Sequence, residues 1–431
     1  MKKLGKHRLF RGDCLKKLRK LPDNSVDSVV TDPPYGLSFM GKKWDYDVPS
    51  VKIWKECLRV LKPGGYLLAF AGTRTQHRMA VNIEDAGFEI CDIIAWCYGS
   101  GFPKSQAVGK SIDKLKGLER VVLGPKQFAD GSKTRATAGK GEKFKVVGNS
   151  GLATAPASEE SAQWEGWGSA LKPALEPITM ARKPREGTIA KNVLKYGTGA
   201  LNIDGCRVSV ANNDNIFVKN PHTKGGFGHA KASVYGKSVG ADSYNPAQGR
   251  FPANFIHDGS DEVTSLFPYS KDGVAVSRNK KQGQDSGNKV YGKRNVNLKD
   301  VSYGGAGSAA RFFYVAKANK KDRDEGNNHP TVKPTDLMRY LVRLVTRKGG
   351  ICLDPFMGSG STGKACVSEG MIFYGMEKEK ESFVTSVRRI RKARRLKKLG
   401  GLNQKQKQTS KQTSKHKQTK TRKTKHERSR K

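Results

Sequence analysis

Thr31-Asp32-Pro33-Pro34-Tyr35-Gly36 follows an apolar run containing Val26, Val29 and Val30. That run reads as a short buried strand, which puts the Asp-Pro-Pro-Tyr tetrapeptide at a strand's carboxyl end. Open α/β sheets bind their ligands there. Two consecutive prolines fix φ and remove two backbone donors, leaving a stiff, non-helical loop whose carbonyls have no obligatory internal partners. A carboxylate (Asp32), a free carbonyl (Pro33) and an aromatic face (Tyr35) are thereby held within a few residues. The exocyclic amine of a nucleobase requires that set: acceptors for its two N–H groups and a π-surface on which an extruded base can stack. An Asp-Pro turn carrying a solvated tyrosine is the plainer alternative.

Strands and helices alternate around this loop. Before it, residues 8 to 30 give a strand ending at Gly12 and Asp13, a short helix from Cys14 to Lys20, and the strand leading to Asp32. After it come a basic loop, Leu37 to Pro49, with Lys42, Lys43 and Trp44, and a helix from about Val51 to Leu61 stopped by Pro63, Gly64 and Gly65. A strand over Tyr66 to Phe70, a helix over about Thr75 to Asp85 and a strand over Phe88 to Trp96 follow. This β-α-β-α-β order indicates a parallel, doubly wound sheet. From Cys97 to Ala170 and from Glu186 to Gly307 the chain turns rich in Gly, Ser, Asn and Lys; between them lies a proline-bounded strand over about Ile178 to Arg182. Stretches this long are binding elements or disordered, and residues 125 to 165 are the candidates for disorder. Order returns with a strand around Arg311 to Val315. Then Leu337, Met338, Leu341, Val342, Leu344 and Val345 recur at helical spacing behind a cap at Thr335 or Asp336.

The 431 residues carry a formal net charge of +42 with 36% hydrophobic content. Residues 388 to 431 hold 20 Lys and Arg against the single acid Glu427, and the body stays basic without them. A surplus of this size expects a polyanion, and nucleic acid fits it better than a membrane, because no amphipathic or lipidation signal accompanies the charge. The seven cysteines are scattered and never spaced Cys-x-x-Cys, which argues for a reducing compartment and against zinc or a disulfide framework. No run approaches 18 apolar residues and no signal-like stretch follows the basic N-terminus, so the expectation is a cytoplasmic protein without metal or membrane partner.

A second chemical centre begins where the strand Ile351-Cys352-Leu353 ends in Asp354-Pro355-Phe356-Met357 and continues Gly358-Ser359-Gly360-Ser361-Thr362-Gly363-Lys364. The last seven residues match the Walker phosphate pattern, so a nucleotide triphosphatase competes here. Against it, Ala365 stands where a Ser or Thr should hold Mg²⁺, an Asp-Pro-Phe precedes the glycines, and no aspartate-ended second strand offers the metal partner. The glycines also let a backbone approach a dinucleotide-type ligand at a helix N-terminus. The next strand, Met371 to Met376, ends at Glu377, where an acid can accept both hydroxyls of a ribose. A ribose-bearing ligand lacking a triphosphate, with Asp354 free to meet a cationic amino group, points to S-adenosyl-L-methionine.

With both centres in this order, the chain resembles the β-class DNA amino-methyltransferases, over nearly all of residues 7 to 395. Gly12-Asp13, Thr31 to Gly36, His329-Pro330-Thr331-Val332-Lys333-Pro334 and Asp354 to Gly363 carry the resemblance, and Trp96 to Ser105 and Leu201 to Val208 resemble phage and prophage members. The family implies an α/β fold, a circularly permuted Rossmann-like methyltransferase sheet of seven mostly parallel strands with a large inserted target-recognition region. On that pattern residues 1–96 form the catalytic half, 97–170 an insertion, 171–185 an edge strand, 186–307 the target-recognition region, 308–398 the cofactor half and 399–431 a disordered basic tail. Carried over by position, Asp13 contacts the cofactor's adenine with Cys14 beside it, and Glu377 its ribose. Asp354, Phe356, Gly358, Ser359 and Gly360 line its methionine side, with Lys333 and Thr335 closing the pocket. Asp32 and the Pro33 carbonyl hold the target amine, Pro34 stiffens the loop, and Tyr35 stacks on the flipped base. The resemblance also implies double-stranded DNA as partner and leaves open a homodimer and a partner restriction endonuclease, in a bacterial or phage-infected cytoplasm. Asp at the first loop position is more usual for N6-adenine and Ser for N4-cytosine, which favours adenine. A DNA-binding scaffold with a dead methyltransferase fold is the reading from a different class.

Overall fold

The computed structural model describes residues 1–37, 45–101, 105–125, 152–209, 249–271, 306–316, 322, 327 and 332–399. Lys42 to Trp44, His329 to Thr331, residues 126–151 of the insertion, most of the region 210–305 and the tail beyond Leu399 lie outside them. Two compact units result: Met1–Gly99 with Leu175–Lys431, and Ser100–Ala174.

The strands in chain order are β1 (Lys2–Leu4), β2 (His7–Arg11), β3 (Val26–Thr31), β4 (Leu61–Phe70), β5 (Glu89–Cys97), β6 (Val122–Pro125), β7 (Leu152–Thr154), β8 (Leu175–Arg182), β9 (Phe255–His257), β10 (Tyr269–Lys271), β11 (Ala306–Ser308), β12 (Tyr314–Val315), β13 (Ile351–Asp354) and β14 (Ile372–Glu377). The larger unit holds a ten-stranded sheet in the order β1-β2-β14-β13-β3-β4-β8-β5-β9-β12. The seven strands from β2 to β5 in that order are the expected set. They are extended by the antiparallel β1 at one edge and by the short parallel strands β9 and β12 at the other. β2, from the start of the chain, pairs with β14, from near its end, which is the permuted connection.

All six residues of β3 are buried, as a central parallel strand covered on both faces requires. Val29 faces a layer with Leu18, Trp54 and Met79, whereas its neighbour Val30 faces one with Leu337, Leu341 and Phe373. The helices Cys14–Leu18, Val51–Val60 and Gln76–Asp85 supply the first layer, and Thr335–Val345 and Ser361–Glu369 supply the second.

Three expectations are corrected. The resemblance implied an edge strand over 171–185. β8 is instead interior and antiparallel, with β4 on one side and β5 on the other; Pro177 stands near its start, where its carbonyl accepts from Ala71 N at 3.0 Å. Pro63-Gly64-Gly65 was read as a stop, but β4 begins at Leu61: Val26 pairs with Leu61 and Ser28 with Tyr66, so Lys62 to Gly65 bulge opposite Asp27. The buried Asp27 carboxylate justifies the bulge by accepting from Lys62 Nζ at 2.8 Å and Ile351 N at 2.7 Å. The strand expected around Arg311 to Val315 is mostly a 3-10 turn, Ala309–Phe312, with β12 covering two residues. Phe313 is drawn out of the strand by ring contacts with Phe255 and Phe267.

In the smaller unit, the β6–β7 hairpin accompanies the helices Val108–Leu115 and Glu159–Gln163. Buried Asp113 ties the two helices together, accepting from Ser161 Oγ at 2.6 Å and pairing with Arg120 at 3.1 Å. Secondary-structure elements therefore lie within 152–165, part of the stretch named above as the candidate for disorder.

Candidate active site

The parallel strands β2, β14, β13, β3 and β4 end at one side of the sheet, and every strand-end residue singled out above stands there. The Asp-Pro-Pro-Tyr loop leaves β3 with Pro33 buried and Asp32, Pro34 and Tyr35 half-buried. Asp45 pins the loop by accepting from Tyr35 N at 2.6 Å and Gly36 N at 3.1 Å, and Thr75 Oγ1 donates to the Tyr35 carbonyl at 2.6 Å. The Pro33 carbonyl accepts no hydrogen bond from a described residue. Tyr35 Oη lies 2.8 Å from Asp32 Oδ1 and 2.8 Å from Glu176 Oε2. Burial, then the charges of Asp32 and Glu176, push its phenol well above the usual range, so it stays neutral.

Lys333, expected to close the cofactor pocket, reaches this loop. Its ammonium is 2.8 Å from Asp32 Oδ2, 3.0 Å from Glu176 Oε2 and 3.1 Å from Tyr35 Oη. Burial opposes its charge, but the two carboxylates outweigh burial and raise the pKa, so the ammonium persists. Thr335 is half-buried at the start of its helix, where its N–H donates to Asp322 Oδ1 at 3.0 Å.

The glycine turn connects the ends of β13 and β14. Asp354 is fully buried; its oxygens accept from Thr31 Oγ1 at 2.7 Å, Thr362 Oγ1 at 2.6 Å and Phe356 N at 3.1 Å. A carboxylate has about four acceptor positions, so roughly one remains for a ligand's ammonium. Burial raises this carboxyl from 3.8 to about 6 despite those bonds. Glu377 Oε2 accepts from Gly358 N at 2.8 Å and Oε1 from Glu379 N at 2.7 Å, leaving further capacity on both oxygens. Burial raises its pKa as well. Gly12 N donates to the Glu377 carbonyl at 2.8 Å, which brings Asp13 and Cys14 to the same corner. Asp13 caps its helix through Lys16 N at 3.0 Å; burial, with Asp13 adding to it, pushes the half-buried Cys14 thiol up to about 12. Half-buried Phe356 meets Trp54 edge-on, and Arg389 fixes Ser359 through its carbonyl at 2.6 Å and its Oγ at 2.7 Å. Gly360 has φ +85°, and a Cβ there would lie 2.9 Å from Ser386 Cβ, so only glycine fits the turn.

A protein family described as DNA methylase matches residues 26–388. The chain belongs to that family. It is similar to the type II methyltransferase M.HindIII of Haemophilus influenzae, 21% identical over 426 residues, covering 89% of this chain and 94% of that protein. M.HpaI of Haemophilus parainfluenzae is 29% identical over a shorter stretch, 25% of this chain and 37% of that protein. Solved structures that resemble it include the M1.HpyAVI–SAM complex (15% identity, TM-score 0.37, covering 89% and 98%) and the cytosine-N4-specific PvuII DNA methyltransferase (14%, 0.38, 88% and 85%). By its family the chain is a DNA methyltransferase, and S-adenosylmethionine is its methyl donor. The residues present fit that cofactor: Glu377 retains acceptors for a ribose, Phe356 offers a half-exposed apolar face, and the positive-φ turn at Gly360 brings bare backbone to the strand ends. Among the described residues no helix is long and apolar enough to cross a membrane, and no cluster of His, Cys, Asp or Glu is placed to hold a metal ion.

The sequence reading overlooked Glu176, Tyr98 and Asp45. Tyr98 Oη donates to Glu176 Oε1 at 3.3 Å, so the methyltransferase has a second carboxylate beside Asp32. The available signal was a lone acid opening an apolar strand: in an antiparallel strand the amino end lies among the carboxyl ends of its parallel neighbours.

Proposed function

We propose that this methyltransferase transfers the methyl group to the N6 amine of adenine in double-stranded DNA, by flipping the base and attacking the donor directly. The observation that carries this is the Asp32 carboxylate beside a Pro33 carbonyl that accepts from no described residue, on a loop held by Asp45 and Thr75. An exocyclic amine is a poor nucleophile because its lone pair is delocalised into the ring. Accepting its two N–H bonds at Asp32 and Pro33 favours a pyramidal nitrogen with its lone pair aimed at the methyl carbon, so catalysis rests on orientation and electrostatics. Stacking on Tyr35 contributes about 1–3 kcal/mol toward holding the extruded base. The donor supplies an electrophilic sulfonium methyl group; Glu377 and Asp13 orient its nucleoside, and Asp354 with the Phe356 to Gly360 turn orients its methionine side. Asp rather than Ser at position 32 favours adenine over cytosine within the family. Asp32→Ala is expected to abolish transfer to unmethylated DNA while binding the donor as the wild type does; transfer at the wild-type rate in that variant would refute the assignment.

A further inference from the structure

Asp32 and Glu176 share one cation and one hydroxyl. An ammonium has three donors, and Lys333 directs them at Asp32 Oδ2, Glu176 Oε2 and Tyr35 Oη. Its side chain is 8% exposed, against 24% for Asp32 and 19% for Glu176, so the cation is enclosed and the carboxylates open toward solvent. Tyr35 Oη has a single proton, yet two carboxylate oxygens lie at 2.8 Å, and it can serve only one at a time. Both donors can therefore lean toward either carboxylate without leaving the cluster.

If Asp32 holds the target amine, as proposed above, the amine competes for its oxygens with the donors already on them. Lys333 occupies Oδ2 and Tyr35 can occupy Oδ1. A lysine pushed off Asp32 with no other anion nearby would be a buried, unpaired ammonium, which is costly. Glu176 removes that cost: it already lies 3.0 Å from Lys333 and within reach of the Tyr35 hydroxyl, and Tyr98 steadies its second oxygen at 3.3 Å. Its register opposite Trp96 on β5 and its position before Pro177 fix it at the strand end.

We propose that Glu176 is a positioning residue that takes over Lys333 and the Tyr35 hydroxyl when the target amine claims Asp32. Lys333 is then the occupant that the amine displaces. The amine gives Asp32 one N–H and the Pro33 carbonyl the other, while each donor that leaves Asp32 is received by Glu176, so neither Lys333 nor Tyr35 is left without an acceptor. The proposal rests on Asp32 being the amine's acceptor.

The test uses the full chain, unmethylated genomic DNA and labelled S-adenosylmethionine. Glu176→Gln keeps the shape and removes the charge, so Lys333 stays on Asp32 and competes with the amine. We expect kcat/KM for DNA to fall about tenfold or more, in line with loss of a charged hydrogen bond, with donor binding by calorimetry unchanged as the control for folding. Adding Lys333→Met to that variant removes the competitor and is expected to restore kcat/KM toward the wild type. Glu176→Asp, which retains the charge, is expected to outperform Glu176→Gln. Wild-type kcat/KM in Glu176→Gln, losses that simply add in the double variant, or Asp no better than Gln would each overturn the proposal. Absence of transfer by the wild type would instead refute the assignment of Asp32, and the handover with it.

Discussion

Replacing Asp354 with asparagine should change how stability depends on pH. Asp354 is 1% exposed; burial, with a smaller contribution from the charge of Asp32, lifts its carboxyl from 3.8 to about 6 against the bonds from Thr362, Thr31 and Phe356 N. The native protein therefore binds more protons than the unfolded chain between those two values. Stability from this group is fully present below 3.8 and is lost as pH rises through about 6. At 1.36 kcal/mol per pH unit, the loss across the window is about 3 kcal/mol. Asp354→Asn cannot titrate, and its own cost, a lost acceptor for one threonine hydroxyl, is the same at every pH. Urea unfolding of both proteins from about pH 4 to about pH 7 measures the difference. The wild type should lose about 2.4 kcal/mol more than the variant over that range. Parallel pH profiles would refute the account of a buried, ionisable anchor beneath the glycine turn.

Gly360→Ala forces a side chain into φ +85° and against Ser386, so a cost of about 1–2 kcal/mol or more is expected; an unchanged Tm would contradict the close approach. In Glu377→Gln an amide nitrogen replaces one of the oxygens that accept from Gly358 N and Glu379 N, so donor affinity by calorimetry should fall about tenfold. Donor affinity equal to wild type would remove Glu377 from the site. Deleting the chain after Leu399 removes 12 Lys and Arg, and should weaken DNA binding at low salt and flatten its salt dependence; equal affinity at low salt would show that the tail contributes no phosphate contacts.

The parallel core was legible because its signals are local. Val26, Val29 and Val30 read as a buried strand, and the acids closing β3, β13 and β14 stand at its ligand-binding side because parallel strands share a direction. What was missed depended on pairing between distant segments. The resemblance placed 171–185 at an edge, but whether β8 is interior depends on β4 and β5 both finding it. Glu176 becomes significant only once antiparallel pairing carries it to Tyr35, over a sequence separation of 141 residues. Lys333 was legible as a site residue but not in its partner, since its distance from Asp32 is a property of the closed sheet.

The most direct measurement is to incubate the purified chain with unmethylated DNA and S-adenosylmethionine, digest the DNA to nucleosides, and identify the methylated base by mass. The account predicts N6-methyldeoxyadenosine. N4-methyldeoxycytidine would contradict the assignment of the base, and DNA returned unmethylated by a protein that binds the donor would contradict the assignment of DNA adenine as its substrate.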